Sequence, residues 1–208
     1  MRKISVPAVA NLDSTVDEKW MFVREPGHWY CKSADFALEG LKGNGRCLVV
    51  GSPLFEVLEL QAKGWDVTFV DVRKPPIGGF KFLQGDASSL VLPEGFDAAS
   101  SSCVLCHAGL GRYGDHIVED ADRKIMQNIY KSLKKGGRAA ITVGCIAKIP
   151  ETLQVGQGFR VWNREGARSL MKGFKILKEK IYDCVEGCWV KEPGTVLNRY
   201  YFSMLLEK

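Results

Sequence analysis

The chain has 208 residues, 46% of them hydrophobic, and a formal net charge of +5. That content and length fit one compact domain better than two. No apolar run approaches the roughly 18 residues needed to cross a bilayer. Met1 to Trp20 lacks the apolar stretch of a secretory signal, and seven cysteines without one imply reduced thiols in a cytoplasmic setting.

In chain order, Met1 to Gly45 reads as an N-terminal extension with one helix. That helix is expected from Ser33, as N-cap, to Lys42. The core is expected to run from Arg46 to Lys208. It opens with the apolar run Cys47-Leu48-Val49-Val50, which stops at Gly51-Ser52. Leu54, Val57, Leu58 and Ala62 recur at helical spacing, with Glu56, Glu59 and Lys63 on the other side. Asp66 to Asp71 reads as a buried second strand, and Arg73 to Gly79 as a loop in place of a second helix. A short strand is predicted over Phe80 to Gln84 and a longer one over Phe96 to Leu105. The clearest helix spans Glu119 to Lys135, with Ile125, Ile129 and Leu133 on one stripe. A strand over Arg138 to Val143, a helix capped by Asn163, and two closing strands from Gly173 and Val196 complete the pattern. Strands alternating with helices predict an α/β fold with a parallel sheet. The two helix-free closing strands predict an antiparallel C-terminal hairpin.

Asp71 stands at the tip of the second strand, twenty residues after Gly51. A carboxylate so placed accepts hydrogen bonds from both hydroxyls of a ribose lying across the first turn, so an adenosine-containing cofactor is expected. A dinucleotide would need backbone N–H groups around its pyrophosphate. Here Pro53 has no N–H, Leu54 and Phe55 are bulky, and Glu56 repels phosphate. The turn suits a phosphate-free, positively charged ligand, and S-adenosylmethionine meets both conditions.

The Gly51 turn, Asp71, the corner Gly85-Asp86-Ala87 and the run Leu133-Lys134-Lys135-Gly136-Gly137-Arg138 together resemble the class I S-adenosylmethionine-dependent methyltransferase superfamily. So does the tail from Trp162-Asn163 through Gly173-Phe174 to the final strand. Within it, Ala108 to Asp115 resembles the GLGRYGD loop of a methyltransferase-like family of uncharacterised function. The resemblance implies a Rossmann-like, mostly parallel seven-stranded sheet. It implies that Asp71 holds the cofactor ribose and Asp86 the adenine amino group. The expected binding positions are Gly51 and Ser52 at the first turn, Asp71 and Val72 at the second strand, Asp86 and Ala87 after the third, and Cys103 on the fourth. One departure is the first turn, Val49-Val50-Gly51-Ser52-Pro53, where the superfamily carries an acid and more glycines.

His107 follows the fourth strand, at the sheet edge where such folds bind ligands, and is a candidate general base. Arg112, Tyr113 and Asp115 share that edge. Arg112 and Asp115 either clamp a polar acceptor or pair with each other. Gly27 to Tyr30 forms either a lid or a hydrophobic staple. Cys103-Val104-Leu105-Cys106-His107 fits the C-x-x-C-H spacing, but covalent haem needs an exported chain, and an unbroken strand would send Cys106 and His107 to opposite faces. No metal is therefore expected. The scattered lysines and arginines read as solvated faces and not as a nucleic-acid surface. The expected activity is methyl transfer from S-adenosylmethionine to an oxygen or nitrogen of a small-molecule acceptor. The rivals are a methyltransferase-like binding module without activity and a nicotinamide-dependent oxidoreductase.

Overall fold

The computed structural model describes residues 2–4, 29–155, 158–195 and 200–208. Its elements are β1 (Arg2–Ile4), α1 (Trp29–Gly40), β2 (Gly45–Val50), α2 (Leu54–Ala62), β3 (Trp65–Asp71), β4 (Lys81–Gln84) and β5 (Phe96–Ser102). They continue with α3 (Ala121–Ser132), β6 (Leu133–Ile146), β7 (Leu153–Val155), β8 (Phe159–Val161), α4 (Arg164–Ser169), β9 (Lys175–Asp183), β10 (Cys188–Val190) and β11 (Tyr200–Glu207). Among the described residues, no helix is long and apolar enough to cross a membrane.

Eight strands form the main sheet in the order β10-β9-β11-β6-β5-β2-β3-β4. The run from β4 to β6 is parallel, and β11 lies antiparallel between β6 and β9. The mostly parallel sheet with its antiparallel C-terminal part is the expected one, and β10 adds a short edge strand to the seven foreseen. A second, three-stranded sheet of β1, β7 and β8 had no signal strong enough to read, since each strand has three residues.

Burial on both faces explains the unbroken apolar run of β2. Cys47 and Val49 pack with Leu54, Val57 and Leu60 of α2, while Leu48 and Val50 pack with Ile125, Met126 and Ile129 of α3. Asn163 caps α4 as anticipated, its Oδ1 accepting from the Gly166 N–H at 2.7 Å. Arg164 and Arg168 of that helix pair with Glu179 of β9.

Four expectations need correction. The first helix begins at Trp29 and not at Ser33, whose hydroxyl serves a buried cluster instead of a cap. Glu56, assigned to the solvated side of α2, is fully buried. The fourth strand ends at Ser102, three residues early, because Cys103 takes a left-handed φ of 59°. The helix α3 ends at Ser132, since Leu133 is extended and Gly136-Gly137 join the strand ladder, bonded to Lys208. Of the proposed lid or staple, Gly27 and His28 lie outside the described residues, as does the start of the last strand over 196–199.

Phe202 sits mid-way along β11, fully buried and opposite both Val143 and Ile181. Replacing Phe202 with Ala should cost about 3–5 kcal/mol of stability. Urea unfolding followed by circular dichroism measures this, and an unmoved midpoint would contradict the packing described.

Candidate functional site

Strand order reverses at β2, with β3 and β4 on one side and β5 and β6 on the other, which opens a crevice at the carboxyl ends of β2 and β5. A cavity of about 140 Å³ lies there. Gly51 and Ser52 after β2, Asp71 and Val72 at β3, Asp86 and Ala87 after β4, and Cys103 after β5 all line it. His107, Tyr113 and Asp115 line it as well. Arg112 borders it through Tyr113, with its guanidinium carbon 5.6 Å from the ring centre.

The wall is shaped by backbone that only some residues tolerate. Gly51 has a φ of 60°, and a Cβ there would come within 2.6 Å of Val104 Cγ2. Glycine is thus required for both conformation and space. Cys103 adopts a similar φ without being glycine, and its N–H donates to the Thr142 carbonyl at 2.8 Å. A non-glycine residue held so is strained, and such strain clusters at functional sites.

The two carboxylates differ in how they are held. Asp71 Oδ1 accepts from the Arg73 main-chain N–H at 2.8 Å and from Arg73 Nε at 3.2 Å, while Oδ2 accepts from Arg73 Nη2 at 3.3 Å. The same guanidinium lies 4.9 Å over the Tyr113 ring. Asp86 Oδ1 accepts from the Ser88 N–H at 2.8 Å, but its Oδ2 is buried without a hydrogen-bond partner. A buried acceptor left unmatched is costly, so this atom is suited to a donor arriving from the cavity.

Behind the wall, Glu56 reaches from the first turn of α2 into the sheet. Its Oε1 accepts from Ser100 Oγ at 2.5 Å and its Oε2 from Ser102 Oγ at 2.7 Å. Ser102 Oγ lies 2.6 Å from Ser33 Oγ, which donates to Thr142 Oγ1, itself 2.9 Å from Ser203 Oγ. Burial pushes the Glu56 carboxyl above its ordinary range, and hydrogen bonds from Ser100, Ser102 and Ser52 draw it part of the way back.

The loop after β5 begins as a helical turn, with the Ala108 N–H bonded to the Val104 carbonyl. The strand has ended at Ser102, so strand alternation does not apply to Cys106 and His107, and the opposite-faces argument fails. Cys106 Sγ lies 3.0 Å from the Cys103 carbonyl oxygen. Burial raises the Cys103 thiol well above its usual range, which leaves it un-ionised. Among the described residues, no group of three His, Cys, Asp or Glu side chains stands ready to hold a metal.

His107 Nδ1 lies 2.6 Å from the Gly158 carbonyl oxygen. A carbonyl can only accept, so Nδ1 carries the proton and Nε2 is left as the basic nitrogen. Burial pulls the imidazole pKa down, but Cys106 and the Gly158 carbonyl favour the charged form, and the net shift is upward from 6.5. Tyr113 meets the His107 ring edge-on at 5.8 Å. The Asp115 carboxylate organises its own loop, accepting from the N–H groups of Gly109 at 2.7 Å, Tyr113 at 3.1 Å and Gly111 at 3.3 Å.

Arg160 of β8 holds this loop down and carried no readable signal in the sequence. It is 1% exposed, and its guanidinium donates to the carbonyls of Ala108 and Leu105 through Nη1 and of Glu119 and Val118 through Nη2. Asp122 is the acid beside it. Replacing Arg160 with Met keeps most of the volume but frees four carbonyls, and should cost about 3 kcal/mol. Hydrogen exchange should quicken across residues 105–119 first, and uniform exchange throughout the chain would contradict the clamp.

Residues 54–141 match the model of a methyltransferase domain. No curated protein matches the chain in sequence. Solved structures are similar in fold. The 1,6-didemethyltoxoflavin-N1-methyltransferase of Burkholderia thailandensis, with 1,6-didemethyltoxoflavin and S-adenosylhomocysteine bound, superposes with a TM-score of 0.66 at 18% identity, over 94% of this chain and 81% of that one. The N-methyltransferase NodS of Bradyrhizobium japonicum WM9, in complex with S-adenosylhomocysteine, gives 0.59 at 13% identity over 92% of each chain. The [4+2]-cyclase SpnF gives 0.61 at 16% identity over 88% of this chain and 80% of that one. Residues 54–141 thus match a methyltransferase domain model, and the main sheet has the fold of these solved S-adenosylmethionine-dependent methyltransferases.

Proposed function

We propose that this chain transfers a methyl group from S-adenosylmethionine to an oxygen or nitrogen of a small-molecule acceptor. One observation carries the reading: a cavity at the strand-order switch holds Asp71 and the unmatched Oδ2 of Asp86, beneath a turn unable to cradle phosphate. Asp71 accepts from the ribose hydroxyls, and Asp86 Oδ2 accepts from the adenine amino group. Gly51, lacking a Cβ, lets the ligand approach the backbone. The cofactor, when bound, supplies an electrophilic methyl group on a sulfonium.

The remaining work falls to the loop. Proximity and orientation of the acceptor supply about 7–11 kcal/mol of the barrier reduction. His107 Nε2 takes the acceptor's proton, and Tyr113 and Arg112 position the acceptor beside it. Asp115 acts on the loop backbone, so its part is to keep Tyr113 and His107 in register. The B. thailandensis structure, which holds a small molecule and S-adenosylhomocysteine together, supports an acceptor of similar size.

Replacing Asp71 with Ala should weaken S-adenosylhomocysteine binding by about 100-fold or more, the loss of two hydrogen bonds to a charged group. Calorimetry measures this, and unchanged affinity would remove the ribose assignment. For His107, the base must be neutral, so turnover should fall as pH drops through its pKa, which lies above 6.5. His107→Ala should abolish that acid limb and slow turnover by about 10²–10⁴-fold while sparing cofactor binding. A pH–rate profile that keeps the limb in the variant would exclude His107 as the base. Saturable cofactor binding with no methylation across a panel of amines, phenols and carboxylates would leave the ligand site and overturn transfer.

A further inference from the structure

We propose that Glu56 is the buried counter-charge that makes the cavity prefer a cationic adenosyl ligand to its uncharged demethylated form. The inference rests on the adenosyl-ligand reading above. It comes from what surrounds this carboxyl. Glu56 is fully buried, and its hydrogen bonds come from the hydroxyls of Ser100, Ser102 and Ser52. Among the described residues, no lysine, arginine or histidine forms an ion pair with it. Other titratable groups felt at this spot are Cys47 on β2, Glu59 on α2 and Cys103 after β5, all of which are neutral or negative. From α1 and β6 the cluster receives the hydroxyls of Ser33 and Thr142.

A buried acid without a cation is unfavourable when ionised, and burial accordingly shifts Glu56 toward its protonated form. The cavity is where a cation can arrive. Ser52 and Ser102 both line it, and Ser102 Oγ is 2.7 Å from the carboxylate. A positive atom resting on that hydroxyl would be within the ~4–6 Å over which opposite charge favours ionisation. The other acids of the cavity are already engaged or directed elsewhere: Asp71 by Arg73, Asp115 by its loop, and Asp86 with one oxygen on Ser88. Binding of a sulfonium therefore draws the proton from Glu56 into solvent, and loss of the methyl group removes the reason for that ionisation. Glu56 acts through Ser52 and Ser102 and is a positioning residue for charge, not a catalytic one.

S-adenosylmethionine and S-adenosylhomocysteine differ by one methyl group and one positive charge, so they form the test pair. Calorimetry of the full chain near neutral pH, in buffers of different ionisation enthalpy, should show proton release with S-adenosylmethionine and none with S-adenosylhomocysteine. Glu56→Gln should abolish the difference and reduce the preference for the charged ligand by about tenfold, a typical coupling between two sites, while leaving S-adenosylhomocysteine affinity within a factor of about two. Equal proton release for both ligands in the unaltered chain would overturn the proposal. So would an unchanged preference in a Gln variant that melts cooperatively. If that variant fails to fold, the buffer series on the unaltered chain decides alone. Failure of either ligand to bind the unaltered chain would instead sink the adenosyl-ligand reading itself.

Discussion

The carboxyl of Glu56 sits where two helices and the sheet must meet, and it dictates what the neighbouring positions can be. It comes from α2, takes hydroxyls from two alternate positions of β5, and through Ser33, Thr142 and Ser203 connects α1, β6 and β11. Ser100 and Ser102 face it because alternate residues of a strand share a face. Larger side chains there would leave the acid unmatched and hold the helix away from the sheet. The run Ala98 to Ser102 is therefore a strand by context, enclosed between β2 and β6, although its small residues favour no regular structure strongly.

A second buried charge performs the corresponding task for the loop. Arg160 reaches from a three-residue strand of the small sheet and collects carbonyls from both ends of the segment between Leu105 and Glu119. Asp115 then folds the middle of that segment by accepting three N–H groups. Between them they leave His107 and Tyr113 facing the cavity. The small sheet looks peripheral, yet it fixes the residues proposed to do the chemistry.

These two cases mark where the sequence stops being readable. The parallel core was legible because β2 carries an unbroken apolar run, and because Gly51 and Asp71 stand at a spacing that a strand, helix and strand explain. All seven expected cofactor positions reach one cavity for the same reason. Glu56 was misassigned because helical spacing alone cannot tell a solvated acid from one whose hydroxyl partners lie 44 and 46 residues away. Arg160 was invisible on similar grounds, since its four acceptors are backbone carbonyls and leave no trace in residue identity. The end of the fourth strand was misplaced because a left-handed cysteine has no sequence signature.

The arginine on Asp71 has a consequence for affinity. Each carboxylate oxygen has room for about two donors, and Oδ1 already receives two from Arg73, whereas Oδ2 receives one. A ribose seeking both oxygens must dislodge a guanidinium bond that is also braced against the Tyr113 ring. On the proposed reading, sugar recognition would be an exchange of one guest for another, and filling the seat would loosen Arg73 beside the Tyr113 loop. Occupancy at one end of the crevice would then be felt as a shift of positive charge at the other.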